Sequence, residues 1–111
     1  MSSVSQPLDK LERTIAARAA SPNEKSYTSQ LLAGGIEKIG AKIVEEAAEV
    51  VEAAGEPGDK GRAHFVREVG DLIYHLMVLM SHQNCSLSDV EAELARRFGV
   101  SGVEEKASRK K

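Results

Sequence analysis

Carboxylate side chains recur at helical spacing in two segments of this sequence. The first segment carries Glu45, Glu46 and Glu49, and the second carries Glu68 and Asp71. Residues three or four apart share one face of a helix, so two such helices packed antiparallel would bring these carboxylates into one small volume. Like charges that close repel unless a cation joins them, and oxygen-only ligands suit Mg²⁺ or Mn²⁺. The pattern therefore indicates a divalent-cation site that handles phosphate.

A solvated helix face is the simpler interpretation of glutamates on an amphipathic helix. Two observations favour the metal site instead. Glu68 and Asp71 flank an apolar stripe, where carboxylates are costly unless they are paired or bind a metal. The connection between the two segments is also short enough to make the helices antiparallel neighbours. On a helical projection Glu46 falls at the border of the apolar arc, where a carboxylate can face a cleft.

Basic residues lie close to both segments. Lys38 and Lys42 precede the acidic turn on its own side, so they are either ion-pair partners of the glutamates or point charges that hold phosphate oxygens. His75 follows Asp71 by one helical turn and is a candidate for a place near the site. His64 and His82 are expected only to satisfy local hydrogen bonds, because no zinc-type histidine spacing occurs.

The elements that must position these residues are helices. Hydrophobic residues make up 41% and charged residues 29% of the chain, with no tryptophan and few aromatics, which is a helix-forming composition. Ser88 followed by Glu91 predicts a capping box at the start of the last helix. We expect an all-α helical bundle built on a long antiparallel helix hairpin. Apolar residues at helical spacing predict helices over residues 8–20, 26–34, 36–54, 60–84 and 86–98.

The length of 111 residues predicts one domain, 1–111, that finishes its burial by pairing with other copies. The run from Leu72 to Met80 is apolar nearly all round and is the predicted interface of a homodimer or higher homo-oligomer. A net charge of -2 indicates neither nucleic acid nor a membrane as partner. The single Cys85 and the lack of a membrane-length apolar run predict a cytoplasmic protein. Residues from about 100 to 111 are predicted to form a flexible tail.

The motif Glu45-Glu46-x-x-Glu49 followed by Glu68-x-x-Asp71 resembles the signature of the MazG-like all-α nucleotide pyrophosphohydrolases. Several substrate classes share this acidic signature, so it specifies the chemistry better than the substrate. Further segments resemble the phosphoribosyl-ATP pyrophosphohydrolase family of histidine biosynthesis, and with them the resemblance covers nearly the whole chain. These segments are Ser26-Tyr27-Thr28, Lys38 to Lys42, Asp71 to His75, and Arg97 with the residues 101–106.

The resemblance implies Mg²⁺-dependent hydrolysis of phosphoribosyl-ATP to phosphoribosyl-AMP and pyrophosphate, the second step of histidine biosynthesis, with Mn²⁺ as a possible substitute. It also implies an all-helical homo-oligomer, with Glu45 as a further ligand or as the group that orients the attacking water. Lys42, together with Lys38, His75 and Arg97, is a candidate for substrate binding. The implied metal ligands are Glu46, Glu49, Glu68 and Asp71.

Two other functions stay open. A house-cleaning pyrophosphohydrolase would use the same metal site on free nucleoside triphosphates, with a different pocket for the base. A non-catalytic helical adaptor would bind a partner helix through the surface from Leu72 to Met80 and would use the acidic face only for solubility.

Overall fold

The computed structural model of the chain describes residues 6–98, and the predicted tail of residues 100–111 lies outside this range. The described residues contain four α-helices and no strand, so the expected all-α class is confirmed. None of these helices is both long and apolar enough to cross a membrane. The helices are α1 (Pro7–Ala20), α2 (Tyr27–Ala54), α3 (Gly58–His82) and α4 (Leu87–Phe98).

The longest helices, α2 and α3, share the most extensive helix–helix contact of the described chain. Only a short turn separates them, because α2 ends at the C-cap residue Gly55 and the extended Pro57 precedes α3. Gly61 lies so close to this turn that a Cβ atom there would clash with the backbone of Glu56. Because Gly61 has no Cβ, the turn can close tightly against the first residues of α3. This helix begins at Gly58, two residues earlier than the predicted Lys60.

A glycine interrupts α2 near its start. Gly35 has φ 72° and ψ -166°, a conformation that L-amino acids with a side chain rarely adopt. The two predicted helices over residues 26–34 and 36–54 thus meet at one non-helical residue. The first of them opens as predicted with a hydroxyl cap, since the Ser26 side chain accepts a hydrogen bond from the Ser29 amide at 3.1 Å.

The start of α4 differs from the predicted capping box at Ser88. The Ser86 hydroxyl accepts from the Asp89 amide at 3.1 Å, and the Asp89 carboxylate accepts from the Ser86 amide at 2.9 Å. The carboxylate of Glu12 on α1 also accepts from the Leu87 amide at 2.8 Å. This contact from α1 provides a partner for the first amide of α4, so the reciprocal cap forms at Ser86 instead.

The core lies between the first three helices. Burying each of its aliphatic side chains contributes about 1.5–3 kcal/mol. Leu87 at the start of α4 packs against this core, whereas no residue of α4 is fully buried. The buried core side chains are Ile15 from α1, Leu31 and Ile39 from α2, and Met77 and Val78 from α3.

The run from Leu72 to Met80, the predicted subunit interface, is largely enclosed by the chain itself. His75, Met77 and Val78 are buried, while Leu76 is 41% exposed. The more exposed aliphatic side chains of the two long helices lie elsewhere, and most of them are on α2. They are Ile36, Val44 and Val51 on α2 and Val66 on α3.

Candidate active site

Three of the predicted metal ligands converge where α2 faces α3. Each of Glu46, Glu68 and Asp71 offers a carboxylate oxygen, and these oxygens all lie within 4.8 Å of one another. Glu46 and Glu68 are 9% and 8% exposed, whereas Asp71 is open to solvent. Because residues 68 and 71 are one turn apart on α3, their side chains share a face. The site is thus buried at its base and open at one side.

The two buried glutamates each keep one oxygen without a partner. Glu46 Oε1 and Glu68 Oε1 are inaccessible to solvent, and neither has a hydrogen-bond donor when both carboxyl groups are ionised. A buried carboxylate oxygen with no donor or cation is costly. The donor set consists only of carboxylate oxygens, which is the chemistry that Mg²⁺ and Mn²⁺ prefer. The residues present therefore fit a hard divalent cation.

The electrostatics of the cluster indicate the same need for a cation. Burial, and then hydrogen bonding with Glu68, raise the pKa of Glu46 from 4.5 to about 7, and the charges of Glu49, Glu68 and Asp71 add to the rise. Hydrogen bonding with Glu68 is also the main cause that raises the pKa of Glu49. This interaction places Glu49 beside Glu68, although Glu49 is not among the three carboxylates that converge within 4.8 Å. Near neutral pH the metal-free protein thus partly retains a proton on Glu46, which a cation would displace.

Glu45 and Lys42 lie beside the cluster and contact each other. Lys42 Nζ is 3.1 Å from Glu45 Oε1, an ion pair between residues three apart, and Glu45 is exposed. Hydrogen bonding to Glu45 is the main cause that raises the pKa of Lys42, so its ammonium group stays charged. Lys42 was interpreted either as an ion-pair partner of the glutamates or as a phosphate-binding charge. The structure contains the ion pair, in which the ammonium group lies beside the acidic turn.

The other predicted substrate-binding residues have different surroundings. Lys38 is exposed on α2, and its aliphatic stem covers Gly34. Arg97 is on α4, where its Nε donates to Glu93 at 3.0 Å. His75 is only 5% exposed, and both of its ring nitrogens have partners. Burial and hydrogen bonding thus make His75 part of the protein interior beside Asp71.

Sequence reasoning assigned His64 no role in the site, yet it contacts a proposed ligand. Its Nε2 is 3.1 Å from Glu68 Oε2, and its Nδ1 is 2.9 Å from Glu56 Oε1 in the turn before α3. Hydrogen bonding to Glu56 is the main cause that raises the pKa of His64. By engaging Oε2 of Glu68, His64 leaves Oε1 for the interior of the cluster. The spacing of four residues between His64 and Glu68 was the signal that could have revealed this contact.

Replacing His64 by Ala is expected to weaken Mg²⁺ binding by about 10- to 100-fold, the usual cost of losing a group that orients a metal ligand. His64→Gln is the matched control, since its amide can still donate to Glu68 and should retain most of the affinity. The Mg²⁺ affinity of both variants is measured from the rise in their thermal unfolding temperature as Mg²⁺ is titrated. Equal affinity in His64→Ala and the unaltered protein would contradict an orienting role.

The fold and the site together define a class: an all-α protein whose two longest helices hold an acidic cluster suited to a hard cation. Within that class, the family model described as phosphoribosyl-ATP pyrophosphohydrolase matches residues 8–98. The chain belongs to this family.

Individual relatives support this assignment along nearly the full length of the sequence. A protein of Rhodopirellula baltica named phosphoribosyl-ATP pyrophosphatase is 57% identical over 103 residues, which is 93% of this chain and 86% of the relative. A protein of the same name from Paracoccus denitrificans is 50% identical over 104 residues, 93% of each chain. Another from Nitrosospira multiformis is 50% identical over 93% of this chain and 83% of its own length.

Proposed function

We propose that this protein hydrolyses phosphoribosyl-ATP to phosphoribosyl-AMP and pyrophosphate, the second step of histidine biosynthesis, with Mg²⁺ as cofactor. The observation that carries the proposal is the cluster of Glu46, Glu68 and Asp71, with two partnerless buried oxygens, in a chain that the family model matches over residues 8–98. The relatives carry the same reaction in their names.

The carboxylates of the cluster would hold the cation. Glu46, Glu68 and Asp71 would supply its protein ligands, with Glu49 as the fourth. A bound Mg²⁺ would polarise the phosphate oxygens and offset the negative charge that develops on the departing pyrophosphate. Because the pKa of Glu46 is raised to about 7, this group keeps a proton in part of the metal-free protein at neutral pH, and binding of the cation would release it.

Glu45 is the candidate for orienting the attacking water, because it borders the cluster without being buried in it. The water oxygen would form a bond to the α-phosphorus, and the bond from that phosphorus to the bridging oxygen would break. Pyrophosphate leaves with the bridging oxygen, and the proton of the water passes to a carboxylate. Lys42, released from its pair with Glu45, would contact the phosphates as a point charge, and Lys38 and Arg97 are further candidates.

The proposal is tested by pyrophosphate release from the purified protein with Mg²⁺. Phosphoribosyl-ATP is compared with ATP, dCTP and dUTP by initial rate, and each assay is repeated with EDTA. We expect release from phosphoribosyl-ATP alone, abolished by EDTA. Preference for a free triphosphate would support the same metal site but would identify the protein as a house-cleaning pyrophosphohydrolase that acts on free nucleoside triphosphates. Absence of release from all four substrates would favour a helical adaptor.

We also propose that the bundle is built on α2 and α3 as an antiparallel hairpin and is completed by a second copy of the chain. The exposed aliphatic residues of α2 support this proposal. Val44 and Val51 are 72% and 74% exposed and lie seven residues apart, hence on one face. Apolar side chains in such a row are typical of a surface that another helix covers.

Replacing Val51 by Arg is expected to convert the oligomer to a monomer at micromolar concentration, because a charge would be buried without a partner. Light scattering after gel filtration measures the mass, which for one chain is 12.0 kDa. Ser88→Arg on α4 is the matched control and should leave the mass unchanged. An unaltered mass in Val51→Arg would exclude this face of α2 as the interface.

A further inference from the structure

A hydrogen-bonded chain links an exposed tyrosine to the backbone of a proposed metal ligand. The hydroxyl of Tyr27 lies 3.0 Å from Nε2 of His75, and Nδ1 of His75 lies 2.8 Å from the backbone oxygen of Asp71. A carbonyl oxygen only accepts hydrogen bonds, so Nδ1 carries the proton. In the neutral ring Nε2 is then the acceptor, and the Tyr27 hydroxyl donates to it. The single hydroxyl proton of Tyr27 is therefore already used within the protein.

Tyr27 is held in place although it is 46% exposed. Its ring stacks on Tyr74, with the ring centres 6.2 Å apart and the planes inclined by 22°. The hydroxyl of Tyr74 in turn bonds to Thr28, the residue after Tyr27. The capping bond of Ser26 fixes the same turn of α2. The Tyr27 ring is exposed, and these contacts already fix its conformation. It can therefore contact a ligand with little further loss of side-chain entropy.

Two successive hydrogen bonds, through His75, connect Tyr27 to the backbone of Asp71 and place it beside the acidic site. Burial is the main cause that raises its pKa, and the charges of Lys42, Glu46 and Glu45 also act on that pKa. The Tyr27 hydroxyl thus keeps its proton at neutral pH, and the charges of Lys42, Glu46 and Glu45 are close enough to affect its pKa.

We propose that Tyr27 contacts the nucleoside part of the substrate, and that the buried His75 is its positioning residue. With its proton committed to His75, the Tyr27 oxygen can only accept a further hydrogen bond. Phosphate oxygens also only accept, so they would be poor partners for it. A ribose hydroxyl or the amino group of a purine can donate, and a purine can stack on the exposed part of the ring. Both ring nitrogens of His75 are engaged, so Tyr27 takes over the substrate contact first predicted for His75.

This inference rests on the proposed function for its substrate, but binding of AMP tests it without turnover. Loss of one hydrogen bond corresponds to about a three- to tenfold change. We expect Tyr27→Phe to raise the KM for phosphoribosyl-ATP and the Kd for AMP by that factor. The Kd for inorganic pyrophosphate and the stabilisation by Mg²⁺ should stay unchanged, because the phosphates and the metal do not use Tyr27.

His75→Asn isolates the positioning role. The shorter asparagine can still donate to the Asp71 carbonyl but cannot reach Tyr27. It should raise the Kd for AMP, by no more than Tyr27→Phe does, and the double variant should be no weaker than Tyr27→Phe alone, because the two residues act as one unit. Additive losses would overturn the positioning role.

Three other results would overturn the contact itself: an unchanged Kd for AMP in Tyr27→Phe, equal weakening of AMP and pyrophosphate, or no AMP binding by the unaltered protein. If the unaltered protein binds AMP through Tyr27 but does not hydrolyse phosphoribosyl-ATP, the proposed function fails and the nucleoside contact stands.

Discussion

Replacing Asp71 by Asn is expected to lower the turnover of phosphoribosyl-ATP by about 10²-fold or more, the scale of losing one charged group at a reacting phosphate. Asparagine has nearly the same shape but lacks the negative charge that would hold the cation. Asp71 is exposed, so the exchange leaves the core intact, and helix content by circular dichroism should not change. Pyrophosphate release, at saturating substrate and at a Mg²⁺ concentration that saturates the unaltered protein, measures the loss. Glu49→Gln is expected to show the same pattern, because Glu49 interacts with Glu68 at the edge of the cluster and is the proposed fourth ligand.

Glu37→Gln is the control for both variants. It also neutralises an exposed carboxylate on α2 but lies outside the cluster, so we expect turnover within about twofold of the unaltered protein, as for most surface substitutions. Partial recovery of Asp71→Asn at high Mg²⁺ would identify weakened metal binding as the cause. Near-normal activity in both Asp71→Asn and Glu49→Gln would refute the assignment of these residues as metal ligands.

Helical periodicity was sufficient to predict that Glu46, Glu68 and Asp71 approach one another, whereas Glu45 and Glu49 are not among the carboxylates that converge within 4.8 Å. Spacings of three and four residues place Glu46 with Glu49 and Glu68 with Asp71, and the short turn at Gly55 brings the two helices together. The border position of Glu46 on the apolar arc also agrees with its burial. What periodicity cannot supply is a contact between residues distant in sequence. Tyr27 and His75 are 48 residues apart, and no local pattern indicates their hydrogen bond.

The same distinction explains the helix boundaries. The break at Gly35 and the cap at Ser26 are local features, and both were predictable from residue type. The helix was predicted from residue 86, but its capping box was predicted at the wrong serine because both Ser86 and Ser88 have an acidic residue three positions later. The carboxylate of Glu12, contributed by α1, contacts the amide of Leu87. That contact depends on the packing of α1, which the sequence of α4 does not contain.

Replacing Glu46 by Gln is expected to stabilise the metal-free protein at pH 8 and to abolish its stabilisation by Mg²⁺. The pKa of Glu46 is raised from 4.5 to about 7, so below pH 4.5 the group is protonated in both the folded and the unfolded chain. As the pH rises from 4.5 through 7, the folded chain loses the stability that its retained proton provided. Glutamine has no charge to bury, and its amide can donate to Glu68 as the protonated acid does. We therefore expect a higher Tm for Glu46→Gln in EDTA at pH 8, with the difference vanishing near pH 4.5.

Thermal unfolding at pH 4.5 and pH 8, each with EDTA and with Mg²⁺, measures these effects. A gain of one kcal/mol corresponds to roughly 4–8 °C in the Tm of a domain of about this size. Mg²⁺ should raise the Tm of the unaltered protein at pH 8, because the ion binds only the folded chain, and should leave Glu46→Gln nearly unchanged. The control Glu37→Gln should respond to Mg²⁺ like the unaltered protein. An equal response to Mg²⁺ in Glu46→Gln would remove Glu46 from the ligand set, and a lower Tm in EDTA at pH 8 would show that its carboxylate supports the metal-free fold. The expected result is that Glu46→Gln is more stable than the unaltered protein in EDTA and gains no stability from Mg²⁺. This result would show that the buried carboxylate of Glu46 binds a cation at the expense of the stability of the metal-free fold.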